Sequence, residues 1–570
     1  MNTPAWAAPA PAAALPLSAR RDAWAAVVLV LLVAWMHRHL PQGFLGTDDP
    51  AILLHALTSP GLRAFHDAHD WRQLSPANLT PWLTLSFKVD LWLGGIDPAF
   101  FYKHQIASLM ALALALYALS RQWLPPLWGL GAVLLFLVGA PTASVAQALA
   151  TRHYLEGAIL ASLALLAFVH AARTHTSIHS MRWAWAGAAA YALATTAKEV
   201  YVPLVLLLLV IPAPVDFRQR LRRMAPFVGV AVLYVFWRRA MLGSTVGGYG
   251  ADVMSAQSVQ QIWQAFSSFP DFLFGPLWLI PTAMLASVLA VFLGSRPWAW
   301  PLALVLVLTV LVPLVPLVHF PGITGPDRYL FVVWLVLALA GTLALKAVLE
   351  SRAFPRWQQW GLAALPGPLL GLFAITHTLV VGRDLATMRQ EVHTQGRFIL
   401  DAVPSQGLVP TESLLANYWY VMALCQIKKT YLAKDCPVMV VRGQGLDQAI
   451  QHLHRYDRNR SGLVDLTAQM QTELDRLAFI DTTRPLKASL QLDTHGVVRW
   501  RLGPYPQGAY FAVSPSIGRY PVAQEGDLKI GARELRLQIQ FDSPEGWSTT
   551  SPLLTVAPGK PVVWSRAATP

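Results

Sequence analysis

Two adjacent carboxylates lie close behind the first apolar segment of the chain. That segment covers residues 23–36, and the stretch Gly-Thr-Asp-Asp-Pro follows at 46–50. A charge near hydrocarbon costs free energy, so such a pair is typical of a functional site. Paired acids can take a proton from a hydroxyl group or hold a divalent cation. The competing interpretation is that Asp48 and Asp49 cap a helix that begins at Pro50, because proline favours the first helical turn.

The composition indicates a membrane protein with a soluble part. Hydrophobic residues make up 55% of the 570 residues and charged residues only 13%, about half the charge of a soluble domain. The net charge of +13 therefore indicates anionic lipids as partners and basic loops that set the orientation. No nucleic-acid-binding motif is present, so nucleic acid is not an expected partner.

Apolar runs predict an all-α polytopic membrane bundle with about eleven transmembrane helices, each long enough or nearly so to cross about 30 Å of hydrocarbon. The predicted helices lie at 23–36, 104–120, 127–148, 153–172, 183–198, 200–214, 225–242, 269–294, 299–318, 328–348 and 359–381. Residues 1–19 are Ala- and Pro-rich and are predicted to be a disordered cytoplasmic segment. A large first outer loop is expected at 39–103, with short helices on the membrane surface.

Lys and Arg in the loops predict the orientation. The basic cluster at 218–223 is expected inside, with the N-terminus, and an odd number of helices then places residues 383–570 outside. We expect a bacterial inner membrane with the C-terminal region in the periplasm. This orientation depends on how many helices the stretch 183–214 forms, because Lys198 and Glu199 interrupt its apolar run. A single helix there would reduce the number to ten and turn the C-terminal region inside.

The C-terminal region is predicted to have two parts. Residues 383–485 are predicted to form an α/β segment, which starts with a helix at 383–402 and has a strand at 438–441. Residues 486–570 alternate apolar and polar side chains at 488–492, 534–539 and 561–564, which predicts a small antiparallel β-sandwich. Cys425 and Cys436 fit a disulfide in an oxidising compartment, with two free thiols as the alternative.

Scarce charges converge on the predicted outer face of the bundle. Between residues 104 and 382 the acidic residues number seven: Glu156, Glu199, Asp216, Asp252, Asp271, Asp327 and Glu350. Five of them, all except Asp216 and Glu350, fall at or near the outer face. The same face collects Arg152, Lys198, His319, Arg328 and the loop 243–250. Such a face is where a site is expected.

A second group of polar residues lies in the outer loop. His66, His69 and Asp70 have a spacing that could bind a metal ion. The competing interpretation, which we favour, is a solvated surface loop.

Four stretches of the membrane part follow one another in a set order. They are Phe-Leu-Gly-Thr-Asp-Asp-Pro-Ala-Ile at 44–52, Pro141 followed by Thr-Arg-His-Tyr-Leu at 151–155, Ala-Lys-Glu-Val-Tyr-Val-Pro at 197–203, and Gly-Pro-Asp-Arg-Tyr-Leu-Phe at 325–331. Together they resemble the GT-C glycosyltransferases, in particular the transmembrane tetratricopeptide-repeat O-mannosyltransferase branch and its bacterial relatives. The resemblance covers roughly residues 20–382. Asp327 replaces the glutamate usual in that family, and the C-terminal region lacks the repeats.

The resemblance implies a membrane glycosyltransferase that moves a sugar from a polyprenyl-phosphate donor to a protein, glycan or lipid acceptor on the periplasmic face. The carboxylate of Asp48 or Asp49 would take the proton of the acceptor, with inversion at the anomeric carbon. The departing lipid phosphate would be held by three basic residues: Arg152, Lys198 and Arg328. Supporting roles would fall to Glu199, which orients Lys198 or joins a polar network, and to Asp327 and Tyr329.

These residues also have structural interpretations. Arg152 could pair with Glu156 four residues later on a helix. Lys198 could extend its side chain from a membrane interface, and Arg328 could pair with its neighbour Asp327.

Two other classes of function stay open. A transporter or flippase of lipid-linked sugars predicts inverted internal repeats, and the sequence shows none. A non-catalytic protein that assembles or anchors an envelope polymer predicts that the Asp pair is dispensable. The sequence leaves open the sugar, the acceptor and whether a divalent cation such as Mg²⁺ or Mn²⁺ takes part.

Overall fold

The structure, a computed structural model, divides into two compact units. Unit 1 holds nearly all residues up to Leu385 except Phe44–Thr58, and unit 2 holds Phe44–Thr58 and Ala386–Pro570. The described residues are 19–174, 176–245, 256–296, 299–317, 328–350, 366–415, 418–441, 449–478, 480–494, 496–514, 518–529 and 534–567. Predictions for residues 1–18, loop residues 246–250, Asp252, His319, Asp327 and the first part of 359–381 therefore lie outside them.

The α-helices of the described residues are numbered in chain order. They are α1 (Ala19–Met36), α2 (Asp49–Thr58), α3 (Ala68–Leu74), α4 (Pro81–Gly94), α5 (Pro98–Ser120), α6 (Pro126–Leu137), α7 (Ala140–Gln147), α8 (Arg152–Arg173), α9 (Ser177–Ala197), α10 (Leu204–Val210), α11 (Phe217–Leu242), α12 (Ala256–Phe274), α13 (Leu279–Ser295), α14 (Ala299–Leu311), α15 (Phe331–Leu349), α16 (Pro366–Asp401), α17 (Glu412–Leu415), α18 (Tyr418–Leu432) and α19 (Met470–Ala478). The boundary between the two units falls inside α16.

The predicted membrane bundle is present, with fewer spans than predicted. Six helices in the described part of the chain are long and apolar enough to cross a membrane, or eight if each of two bent pairs is one span. α10 and α14 have only 7 and 13 residues, whereas a span needs about 20. α9 has 21 residues but is rich in Ala, Ser and Thr. Eleven is thus too high for the described residues, and an odd number of helices no longer places the C-terminal region outside.

Two interruptions of the helices shape the interior of unit 1. At Lys198 the backbone becomes extended (φ −155°, ψ 137°), and a 3₁₀ turn, Glu199–Tyr201, follows before α10. The stretch 183–214 is therefore broken at Lys198, as the sequence predicts, but its second half is too short to be a span. α6 and α7 bend by 63° at Gly139, where a Cβ atom would lie 1.9 Å from the indole nitrogen of Trp334.

The predicted outer loop at 39–103 is largely helical. The expected short helices are α2, α3 and α4, and α5 begins at Pro98, earlier than the predicted residue 104. The expectation of a polar surface segment is wrong for α4, which buries Leu83, Phe87 and Asp90. A buried carboxylate on an apolar helix face requires a partner, and that partner belongs to the site described below.

The first part of unit 2 contains packed helices and a small sheet. α2 packs against α18, and the hydroxyl of Tyr420 donates a hydrogen bond to the carbonyl of Leu45 at 3.1 Å. Lys428 donates to the carbonyls of Ile399 (2.9 Å) and Ala402 at the end of α16. These bonds satisfy carbonyls that a helix leaves unpaired at its C-terminus.

The strands of the described residues form three sheets. They are β1 (Gln406–Val409), β2 (Val438–Met439), β3 (His452–Asp457), β4 (Gly462–Asp465), β5 (Leu486–Leu492), β6 (Val497–Gly503), β7 (Ala509–Ser514), β8 (Gly518–Val522), β9 (Glu525–Lys529), β10 (Leu535–Asp542), β11 (Ser548–Thr550), β12 (Leu554–Val556) and β13 (Val562–Arg566). The first sheet has the order β2-β1-β3-β4, in which β1 is parallel to β2 and β3, and β4 is antiparallel to β3.

The predicted β-sandwich is confirmed. One sheet has the order β13-β5-β6-β9, the other β11-β10-β7-β8 with β12 beside β10, and the pairs within them are antiparallel. β5 alternates buried and exposed residues along its whole length. The buried side chains of both sheets, such as Leu490 and Ile539, share one hydrophobic core. The alternation predicted this fold because every second side chain of a strand faces the same side.

The two cysteines are joined in unit 2. Cys425 lies in α18, and its Cα atom is 5.4 Å from that of Cys436. We expect reduction to lower the free energy of unfolding of unit 2 by about 2–3 kcal/mol, because the bond closes a short loop in the unfolded chain. Intact mass and alkylation with and without reductant measure the bond. Two alkylatable thiols in protein taken from its native membrane would contradict the bond and the expected oxidising compartment.

Candidate functional site

Lys198 occupies the break between α9 and the 3₁₀ turn of unit 1. Its side chain is partly exposed, and its ammonium nitrogen lies 5.2 Å from the ring centre of Tyr154 on α8. A cation over an aromatic face is stabilised by the charge distribution of the ring. The contact orients the ammonium group while part of the side chain stays accessible.

Arg328 supplies a second positive charge to the same place. Its guanidinium carbon lies 5.1 Å from the ring centre of Tyr329, and its Nη2 donates to the hydroxyl of that tyrosine at 3.3 Å. Lys198 is within electrostatic reach of Arg328, and the neighbouring carboxylate of Glu199 acts on Lys198 more strongly than Arg328 does. Two basic side chains therefore lie in one region of unit 1.

His153 lies near both cations and was not predicted. Lys198 and Arg328 both act on its ring electrostatically. The side chain is buried, and the backbone at Ala150 is within hydrogen-bonding reach of the ring. The stretch 151–155 contains this residue, so the sequence held a signal for it.

Glu199 holds the break in place. Its carboxylate accepts a hydrogen bond from the backbone N–H of Leu79 at 2.8 Å and pairs with Arg238 of α11 at 3.3 Å. Of the two roles predicted for Glu199, these contacts favour membership of a polar network.

Arg152 lies at the centre of a separate buried network. Its guanidinium is inaccessible to solvent and pairs with Asp90 of α4. It also donates to the side chain of Gln105 at 3.1 Å and to the carbonyl of Phe101 at 2.7 Å. Further hydrogen bonds run from the same guanidinium to Ser86 and His104, both at 3.2 Å. A phosphate contact for Arg152 stays a prediction, and the geometry favours a positioning role.

The network extends through His104 to Glu156. The Nδ1 atom of His104 lies 2.6 Å from Asp90, and its Nε2 atom lies 3.4 Å from Glu156. Glu156 also accepts hydrogen bonds from Trp82 at 2.7 Å and Ser86 at 2.8 Å. Glu156 therefore does not pair with Arg152 along the helix, as one interpretation of the sequence held. Asp90 and His104 were missed, although a lone acid among apolar residues at 81–94 was a signal.

The Asp pair lies in unit 2, at the start of α2. The carboxylate of Asp49 is buried and accepts the backbone N–H of Gly46 at 2.5 Å. Asp48 is exposed, and its carbonyl accepts the N–H of Ile52 at 3.3 Å. The two acids therefore have different environments. Asp49 closes a turn, and Asp48 faces solvent, where a reacting hydroxyl could reach it.

Of the residues considered for a metal, Asp70 has a local side-chain partner, and His69 and Asp70 lie in the first turn of α3 after its capping residue, Asp67. Asp67 caps α3, accepting the backbone N–H groups of His69 and Asp70, and the bond from Asp70 is the main cause that lowers the pKa of the Asp67 carboxyl. The carboxylate of Asp70 accepts the hydroxyl of Ser59 at 2.7 Å. No group of three or more His, Cys, Asp or Glu side chains suited to a metal occurs in the described part of the chain.

An apolar cavity of about 230 Å³ lies among α5, α8, α10, α13, α14 and α15 of unit 1. Val200, two residues after Lys198, and Val332, one turn after Arg328, both line it. Two lining residues of the cavity are thus close to the cations along the chain. A charged end beside an apolar space is the arrangement that an amphiphilic anion requires.

Comparisons with known proteins found similar structures but no similar sequences. No protein-family profile and no curated protein matches the chain. The oligosaccharyltransferase of Archaeoglobus fulgidus, solved with zinc and sulfate, has a TM-score of 0.39 and 11% identity, over 86% of this chain and 72% of that one. ArnT from Cupriavidus metallidurans, solved in the apo state, has a TM-score of 0.38 and 13% identity, over 72% of this chain and 89% of that one. Both TM-scores are below 0.5, so neither likeness carries a conclusion about the fold or the residue roles of this chain.

Proposed function

We propose that the chain is a membrane glycosyltransferase that moves a sugar from a polyprenyl-phosphate carrier to an acceptor on the periplasmic face. The observation that carries this proposal is that two basic side chains, Lys198 and Arg328, lie within electrostatic reach of each other and close along the chain to residues that line the apolar cavity of unit 1. The four sequence stretches that resemble the GT-C glycosyltransferases support it independently.

The cations fit the phosphate of the carrier. A phosphate that reaches Lys198 and Arg328 would make a charge-assisted contact with each of them, and charge-assisted hydrogen bonds are the strong ones. The ring of His153 would add a hydrogen bond. As the bond between sugar and phosphate breaks, negative charge grows on the phosphate, so these contacts strengthen in the transition state.

The cavity fits the hydrocarbon part of the carrier. Its lining is aliphatic and aromatic, with Leu119, Leu165, Leu204 and Phe292 among the lining residues. Each buried methylene contributes about 0.8 kcal/mol, so part of an isoprenoid chain in this space would anchor the donor. The rest of the chain would remain in the lipid.

The reaction then needs a base for the acceptor. In the proposed step the acceptor oxygen attacks the anomeric carbon, the bond to the phosphate oxygen breaks, and polyprenyl phosphate leaves. The proton of the acceptor hydroxyl passes to Asp48, and direct displacement inverts the anomeric carbon. Asp49 holds the turn that presents Asp48.

The function is tested by incubating the full-length protein in nanodiscs with synthetic polyprenyl-phosphate sugars and extracts of the cell envelope. Transfer of labelled sugar with release of polyprenyl phosphate is expected. Loss of the same glycan from cells that lack the protein is the matching result in vivo. Absence of both would contradict the proposal.

Replacement of Lys198 or Arg328 by methionine is expected to weaken polyprenyl-phosphate binding. Each loses a charge-assisted contact worth about 1.5–3 kcal/mol, which raises Kd roughly 10- to 150-fold. Binding to the full-length protein in nanodiscs is measured by native mass spectrometry. The control is Lys346→Met, which removes a lysine paired with Glu350 at 2.6 Å on the same unit and should leave Kd unchanged. Unaltered binding in both site variants would show that these cations are structural.

A further inference from the structure

We propose that unit 2 contains a binding site for a neutral saccharide at the edge of its first sheet. The site is a cavity of about 520 Å³ bounded by the α/β part on one side and the β-sandwich on the other. Cavities of about 300–1,000 Å³ are typical of sites for small ligands. The proposal does not depend on the sugar transfer proposed above.

The strand order places this cavity where a ligand site is expected. From β1 the chain continues to β2 on one side of β1, and then to β3 on the other side of β1. The strand order therefore reverses at β1. In open sheets of parallel strands, ligands bind outside the carboxyl ends of the strands at such a point. Val409 at the end of β1, Val440 just after β2 and Tyr456 near the end of β3 all line the cavity.

A buried arginine of the sandwich completes the opposite wall. Arg519 of β8 is 2% exposed and pairs with Asp542 and with Glu412, the latter at 3.3 Å. Its Nε atom also donates to the side chain of Gln540 at 3.3 Å. Because its donors are bonded to protein groups, Arg519 organises the wall and provides no strong anion site.

Two charged side chains project from this framework toward solvent. The side chain of Glu412 is 69% exposed beside its bond to Arg519, and that of Arg458 is 70% exposed beside its bond from Nε to Glu391 at 3.0 Å. A carboxylate accepts several hydrogen bonds and a guanidinium donates several. Together they match hydroxyl groups, each of which both donates and accepts.

The charge of the cavity indicates that its ligand is neutral. Two arginines, Arg458 and Arg519, face two acids, Glu412 and Asp542, so the charges of the described lining cancel. Apolar side chains such as Leu415 line the same space and fit the C–H face of a sugar ring. An ionic ligand would bring a charge that this lining does not compensate.

The test is equilibrium binding to the full-length protein in nanodiscs. An array of neutral oligosaccharides built from glucose, galactose, mannose and N-acetylglucosamine identifies the ligand, and calorimetry gives its Kd. Glu412→Gln and Arg458→Met should each raise Kd at least tenfold. The matched control is Arg460→Met, because Arg460 is an exposed arginine nearby, paired with Asp457, outside the cavity lining.

Three outcomes would overturn the proposal: no saturable binding of any neutral saccharide, equal Kd values in wild type and both site variants, or preferred binding of a charged saccharide or a peptide. The assay measures binding alone. Its failure therefore leaves sugar transfer by the protein unaffected, and a failure of transfer leaves a positive binding result standing.

Discussion

Asp48→Asn is expected to lower sugar transfer at least about 100-fold while the protein stays folded. A positioned general base contributes roughly 10²–10⁴-fold, and an amide keeps the size of the carboxylate but cannot take the proton. Asp48 is exposed at the start of α2, where an acceptor hydroxyl can approach. The initial rate of transfer from a synthetic polyprenyl-phosphate sugar measures the effect.

Asp49→Asn should have the smaller effect of the two. The buried carboxylate of Asp49 accepts the N–H of Gly46, and an asparagine oxygen can still accept that bond. Asp97→Asn is the control for both variants, because Asp97 is another acid at a helix N-terminus, accepting the N–H of Ala99 at 3.0 Å. Full transfer by Asp48→Asn, by Asp49→Asn and by the double variant would remove the Asp pair from the reaction.

Arg152→Met is expected to destabilise unit 1 by about 3–5 kcal/mol. The change leaves Asp90 buried without its guanidinium partner, and breaking one side of a buried ion pair costs about this much. The double variant Arg152→Met with Asp90→Asn should recover most of the loss, because it removes the uncompensated charge. The difference is measured on the detergent-solubilised protein, either by titration with denaturant or by limited proteolysis.

Lys346→Met again serves as the control, since an exposed ion pair contributes only about 0–1 kcal/mol. The sequence predicted that Arg152 holds the lipid phosphate. Unchanged stability of Arg152→Met, together with a tenfold or larger increase in the Kd of polyprenyl phosphate, would restore that role and reject the positioning role that its contacts favour.

Several features of this protein follow from the sequence because they depend on neighbours along the chain. Alternation of apolar and polar residues predicted the β-sandwich, since a strand that packs on one face needs this pattern. Long apolar runs predicted a membrane bundle. Lys198 and Arg328 could be singled out because charges are scarce in such a region.

Other features depend on contacts between distant residues, and only the tertiary structure decided them. The partner of Arg152 is Asp90, 62 residues earlier, and not Glu156 four residues later. Helix α2, which begins at Asp49, packs on α18 in unit 2. More spans were predicted than the six to eight candidates of the described residues, because apolar runs do not show that helices such as α10 and α14 are too short to cross a membrane. A buried charge is tolerated only where a partner reaches it, and local periodicity holds no information about which distant residue that partner is.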